Sequence, residues 1–201
     1  MATGPSVLQD ASWQEKALVS VTPKGGTEVQ FEANLSEIGW TGGAKDVEGT
    51  PLLNGGRMRE RSAQEDFEFT GTLYITGVST AEGTGIGEWF HGSSDQSTKS
   101  TVYEFKTSHA RDDFRIAVLF TNDSNVTSAS GSVGADSSVQ AYRWIMEDAQ
   151  LTEYEPNFDD KVLEVEVTFV ASPFDDSANS NVREQEYTGD SSEKLDALSS
   201  Y

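Results

Sequence analysis

Apolar and polar residues alternate along most of this chain, the two-residue period of a strand with one buried face. Residues 163–174, LEVEVTFVASPF, keep that alternation until a proline stops it. Residues 16–23 and 27–34 flank Lys24-Gly25-Gly26, which predicts a hairpin. Residues 65–77 place Phe67, Phe69, Leu73 and Ile75 on one face and Glu68, Thr70, Thr72, Tyr74 and Thr76 on the other. Residues 101–108 and 113–123 predict a further pair. The second is apolar on both sides at Ala117, Val118, Leu119 and Phe120, which puts it in the middle of the sheet. Residues 139–156 form another strand, separated from the last by a turn at 157–161. The total is seven or eight strands, rich in β-branched and aromatic residues.

One stretch reads as helix. In GTGIGEWFHG, residues 83–92, Ile86, Trp89 and Phe90 fall at i, i+3 and i+4, and Gly92 would end the turn. Its glycines make it weak alone, so packing of those three side chains must hold it. Three stretches lack either period: residues 39–64, the Ser/Gly-rich 122–139, and everything from Asp175 onward. The expected organisation is an all-β domain, a β-sandwich or incomplete barrel, over 1–174, with a polar, acidic extension over 175–201.

Composition narrows the chemistry. With 201 residues and 35% hydrophobic content, one core is expected. Cysteine is absent, which excludes disulfides, thiol nucleophiles and thiolate metal sites. No basic segment followed by an apolar run opens the sequence, and no window is apolar enough to span a bilayer, so a soluble, non-exported chain is expected. Asp and Glu number 34 against 14 Lys and Arg, a formal charge of −20. That argues against a conventional nucleic-acid binder, which needs cations against phosphate. It also costs stability by self-repulsion, which salt near 1 M removes because the Debye length falls to about 3 Å. The balance points to a protein working in brine.

Catalytic patterns are missing. His91 follows a Trp-Phe pair and His109 sits in a turn; no G-x-S-x-G accompanies them. The pairs Asp112/Asp113, Asp159/Asp160 and Asp175/Asp176 fall at turns, where aspartate is common for local hydrogen bonding, and no calcium-loop spacing surrounds them. GTGIG at 83–87 lacks the spacing of a phosphate-binding loop. The sequons at Asn34, Asn122 and Asn125 matter only in an exported chain. No catalytic residue, metal or cofactor is therefore expected. What stands out is a basic cluster, Arg57, Arg59 and Arg61 around Met58, just after Leu52 and Leu53 in the longest irregular stretch. Arginine pairs bidentately with carboxylates, so this segment suits an acidic surface, most simply another copy of the same chain. A guarded strand edge is the plain alternative.

Three stretches together resemble the major tail tube proteins of long, non-contractile tailed viruses. They are LNGGRMRERSAQEDFEFTGTLYITG, the short GEWFHG, and the closing YRWIMEDAQLTEYEPNFDDKVLEVEVTFVASPFD. The likeness spans roughly residues 15–175, and the acidity suits a virus of halophilic archaea. The resemblance implies a β-sandwich or incomplete barrel with one flanking helix, and no enzymatic activity. It implies hexameric rings joined sheet edge to sheet edge and stacked into a tube, with Leu52, Leu53, Arg57, Met58, Arg59 and Arg61 reaching the next ring. Partners would be the tape-measure protein, tail terminator and tip proteins, and passing double-stranded DNA, with no membrane. The location would be the virion tail, assembled in the host cytoplasm. Glu68, Thr70, Thr72, Glu164, Glu166 and Thr168 would then face the bore, where carboxylates repel phosphate. A second expectation from a different class is a β-sandwich module binding carbohydrate or a cell surface through Trp40, Trp89 and Trp144.

Overall fold

The computed structural model of the protein describes residues 16–33, 37–45, 47–51, 57–61, 63–75, 85–91, 112–134, 139–159, 162–187 and 194–201. In chain order the elements are β1 (Lys16–Pro23), β2 (Val29–Ala33), β3 (Gly39–Gly42), β4 (Val47–Pro51), β5 (Arg57–Arg61), β6 (Phe67–Tyr74), α1 (Ile86–His91), β7 (Phe114–Thr121), β8 (Ala141–Asp159), β9 (Val162–Ala171) and β10 (Val182–Tyr187). The fold is all-β and antiparallel, with one short helix among the described residues.

The strand ladder closes on itself. β1 pairs with β2, β2 with β6, β6 with β9, β9 with β8, β8 with β7, and β7 again with β1. β8 makes this possible by serving two neighbours in turn. Its residues 141–149 pair with β7, and 150–159 pair with β9. Between the halves lie register shifts at Phe114/Ile116 and Leu151/Glu153, and Asp148 takes a left-handed φ of 49°. Bulges of this kind bend a strand around a barrel corner. β3 lies beside β6, and β10 beside the first half of β8. The hairpin β4–β5 pairs with itself.

Inside the barrel the odd-numbered residues of β6 and β9 meet the even-numbered residues of β7 and of the first half of β8. Trp40 stacks on Trp144 at 5.0 Å, Trp144 on Phe69 at 5.9 Å, and Phe169 meets both Phe69 and Phe114. The helix plugs the same core: Ile86 and Trp89 are buried, Trp89 lies 5.2 Å from Phe114, and half-buried Phe90 stacks on Tyr154.

A second apolar cluster covers the outer side of β1, β7 and β8. Ala117, Leu119 and Ala141 pack there against Val126, Ala129 and Val133 of the loop after β7, and against Tyr187 and Leu195. This explains why β7 is apolar on both faces. Arg143 lies in this layer with no exposed surface, and donates to the carbonyls of Gly131 and Asp196 and to Gln185.

Several irregular stretches gain structure that the pattern did not announce. Within 39–64 lie β3, β4 and β5; β3 ends at Gly42 and Gly43, with φ of 119° and 73°, where a Cβ on Gly42 would sit 2.2 Å from the Asp66 carbonyl. Residues 122–134 form a packed cover. Past Asp175 the chain adds β10 and then folds residues 194–201 back over the second cluster, so the expected loss of strand character there is corrected. Main-chain pairing in the expected turn at 157–161 continues through Asp159. The expected strand at 101–108 lies outside the described residues.

Candidate functional site

With its odd residues in the core, β6 presents Glu68, Thr70, Thr72 and Tyr74 outward, and β9 presents Glu164, Glu166, Thr168 and Val170. The register sets Thr70 opposite Thr168 and Thr72 opposite Glu166, so the six residues expected on one face do share it. Exposure is uneven: Glu68 and Glu166 are exposed, Thr70, Glu164 and Thr168 half-buried, and Thr72 only 7% exposed.

The second half of β8 widens this face with residues that the alternation alone did not assign to it. Glu153 lies opposite Thr168, Glu155 opposite Glu166, and Asn157 opposite Glu164. The shift at Leu151/Glu153 is what turns Glu153 and Glu155 outward, and a period of two cannot foresee a bulge. Thr168 Oγ1 donates to Glu153 Oε2 at 2.9 Å, and Thr152 Oγ1 donates to the Thr168 carbonyl at 3.1 Å. A depression of about 400 Å³ opens on the face, lined by Thr70, Thr72, Glu153, Glu155, Glu166, Thr168 and Glu37 among others.

No Lys or Arg occurs in β3, β6, β9 or residues 150–159. The carboxylates here therefore lack cations from their own strands, and Glu155 faces Glu166 directly, a cross-strand pairing that costs stability. Desolvation, followed by the Glu164 and Glu37 carboxylates, holds the Tyr74 phenol above its usual value. Three described cations are engaged away from these strands. Lys24 pairs with Asp148 at 2.8 Å, Arg183 with Glu147 at 2.6 Å, and Arg115 reaches the Ser199 carbonyl at 2.6 Å.

The remaining expected residues lie elsewhere. Arg57, Met58, Arg59 and Arg61 form β5 of the separate hairpin, while Leu52 and Leu53 fall outside the described residues. Trp144 and Trp89 are buried and Trp40 is packed on Trp144, so these rings are core and not a binding platform. His91 sits on α1 against Phe90 and Tyr154, and burial lowers its pKa. His109 lies outside the described residues. Among them no group of His, Cys, Asp or Glu is placed to hold a metal, and no helix is long and apolar enough to cross a membrane.

No known protein-family model matches the chain, and no curated protein does. Among solved structures it is similar to the sheath/tube terminator of the PVC extracellular contractile injection system, with TM-score 0.47 and 15% identity over 92% of this chain and 99% of that one. It is also similar to a chain of the PVC sheath-tube complex, with TM-score 0.47 and 14% identity over 90% and 100%. A third is the Hcp1 protein from E. coli EAEC 042, with TM-score 0.37 and 8% identity over 84% and 96%. Likeness of this size transfers neither activity nor partner to this chain.

Proposed function

We propose that this chain is a non-enzymatic structural subunit that assembles with copies of itself into a tube of the viral tail type. In this reading hexameric rings stack into a tail tube of a non-contractile virus infecting a halophilic archaeon, assembled in the host cytoplasm. Tape-measure and terminator proteins are its other partners. The observation that carries the reading is the outer face of β6, β9 and the second half of β8: acidic, free of Lys and Arg, and backed by the core. Turned toward a bore, such a face gives passing duplex DNA no cation to grip, and strong salt screens the residual repulsion. The hairpin β4–β5, with Leu52, Leu53, Arg57, Met58, Arg59 and Arg61, reaches a neighbouring ring, and arginine suits the acidic surface it would meet there.

Negative-stain microscopy of the purified chain in strong salt and after dilution tests this. Hollow filaments or rings are expected in brine, weakening on dilution as carboxylate repulsion is unscreened. A monomer under both conditions overturns the reading.

A further inference from the structure

Two large apolar side chains are exposed among the described residues, Phe158 at 68% and Phe174 at 48%. They lie at opposite ends of one strand. Phe158 sits opposite Leu163 near the start of β9, and Phe174 follows its last residue, Ala171. At about 3.3 Å per residue the strand between them spans roughly 30 Å.

Each is presented for a physical reason. β6 pairs with β9 as far as Tyr74 opposite Glu164, with one further bond from Ile75 N to the Leu163 carbonyl, so among the described residues no strand besides β8 pairs with β9 beyond Leu163. Phe158 lies on the side of β8 that holds Tyr154, but past exposed Pro156 its ring is left at the surface while Leu163 opposite it still packs on the core. Phe174 sits on a tightly bonded loop. Asp175 Oδ1 accepts from the amides of Ser177 at 2.8 Å and Asn179 at 2.7 Å, Asp175 N donates to the Asn179 carbonyl, and Asn181 N donates to the Pro173 carbonyl. A loop fixed this way loses little further freedom on binding, which favours contact through its apolar residue.

We propose that Phe158 and Phe174 are the two halves of one contact between successive copies of this chain, the hairpin tip of one copy seating against the loop of the next. Halves at opposite ends of a strand make a head-to-tail contact, which closes as a ring or continues as a stack. The acidic face lies between the two ends, so joining them carries that face on from copy to copy. Asp159, Asp160 and Lys161 follow Phe158, and Asp175 and Asp176 follow Phe174, so both halves are net acidic and repel each other until salt screens them. This inference rests on the self-assembly reading above and names the surface responsible.

The test uses the full chain with F158S and F174S made singly, each checked for unchanged far-UV circular dichroism and urea midpoint. In strong salt each substitution weakens association by roughly tenfold or more, the loss typical of a central aromatic anchor, and the wild-type assembly is lost. Each variant keeps one intact half. Mixed in equal amounts, they therefore yield a species of twice the mass that either forms alone, by sedimentation velocity, and nothing longer. Assembly of either single variant as in wild type, or no change on mixing, overturns the contact while leaving the tube reading standing. Wild-type chain that stays monomeric in brine overturns both.

Discussion

Replacing Glu166 by Gln keeps the side chain's shape and removes one charge from the pair it forms with Glu155 across the β8–β9 ladder. Carboxylates on opposed strand positions lie roughly 6 Å apart, and Coulomb's law in water gives about 0.7 kcal/mol for that separation. Screening reduces this to about 0.4 kcal/mol at 0.1 M salt and about 0.1 kcal/mol at 1 M. Glu164, two residues along the same face, and Glu153, diagonal across the ladder, together add about as much again. E166Q should therefore stabilise the fold by about 0.8 kcal/mol at 0.1 M salt and about 0.2 kcal/mol at 1 M. Urea unfolding measures this cleanly, since the denaturant is uncharged and its midpoint can be read at both salts. The double variant E155Q/E166Q should gain less than the sum of the two singles at low salt, by about the 0.4 kcal/mol of the shared pair. A gain that is equal at both salts, or a loss, would refute repulsion as the dominant force on this face.

Two further outcomes concern the scaffold. Trp144→Ala removes the ring between Trp40 and Phe69 and should cost about 3–5 kcal/mol in urea unfolding; a cost under about 1 kcal/mol would deny that this stack is the core. Asp148 is held below the usual carboxylate range by its hydrogen bond from Lys24 first and from the Tyr201 hydroxyl second, and its amide in turn donates to Tyr201 Oη at 2.8 Å. Because its folded pKa is depressed, its contribution is complete above about pH 4 and disappears as pH falls further. D148N should thus lower the melting temperature at neutral pH and flatten the acid limb, and Tyr201→Phe should cost about 1–2 kcal/mol at pH 7. An acid limb unchanged in D148N would show that the Lys24–Asp148–Tyr201 corner contributes nothing.

Alternation exposed those strands whose one face meets the barrel interior, because burial on one side alone writes a period of two. It also revealed the six-residue face on β6 and β9, where Leu, Val and Phe alternate with Glu and Thr. It failed where burial is supplied piecemeal. β10, VREQEY, buries little beyond Val182 and Tyr187, so it reads as polar tail although it pairs with β8 along its whole length. The cover at 122–134 places Val126, Ala129 and Val133 at irregular intervals among Ser and Gly, and its burial follows from the second face of β7. In AYRWIM the alternation does set Arg143 beside Ala141 and Ile145, but a fully buried guanidinium becomes readable only once the returning 194–201 segment brings the Asp196 carbonyl to it.

The resemblance implied subunits completing one another's sheets, and here the main ladder is completed within the chain. The strand edges left over among the described residues include β10, whose Arg183, Glu184 and Glu186 discourage edge pairing, β3, four residues long, and both outer sides of the hairpin β4–β5. Outside that hairpin, hydrogen-bonded sheet extension is thus a poor engine for assembly. In the proposed assembly, side chains would supply the remaining contact, on a body of charge −20 that repels its own copies. An exposed aromatic at each end of the strand that bears the acidic face meets both demands. Apolar contact is nearly indifferent to ionic strength, whereas the opposing repulsion is not, so the balance tips toward association as salt rises. On the reading proposed above, the charge that would keep duplex from adhering to the face would also hold the copies apart until strong salt screens it.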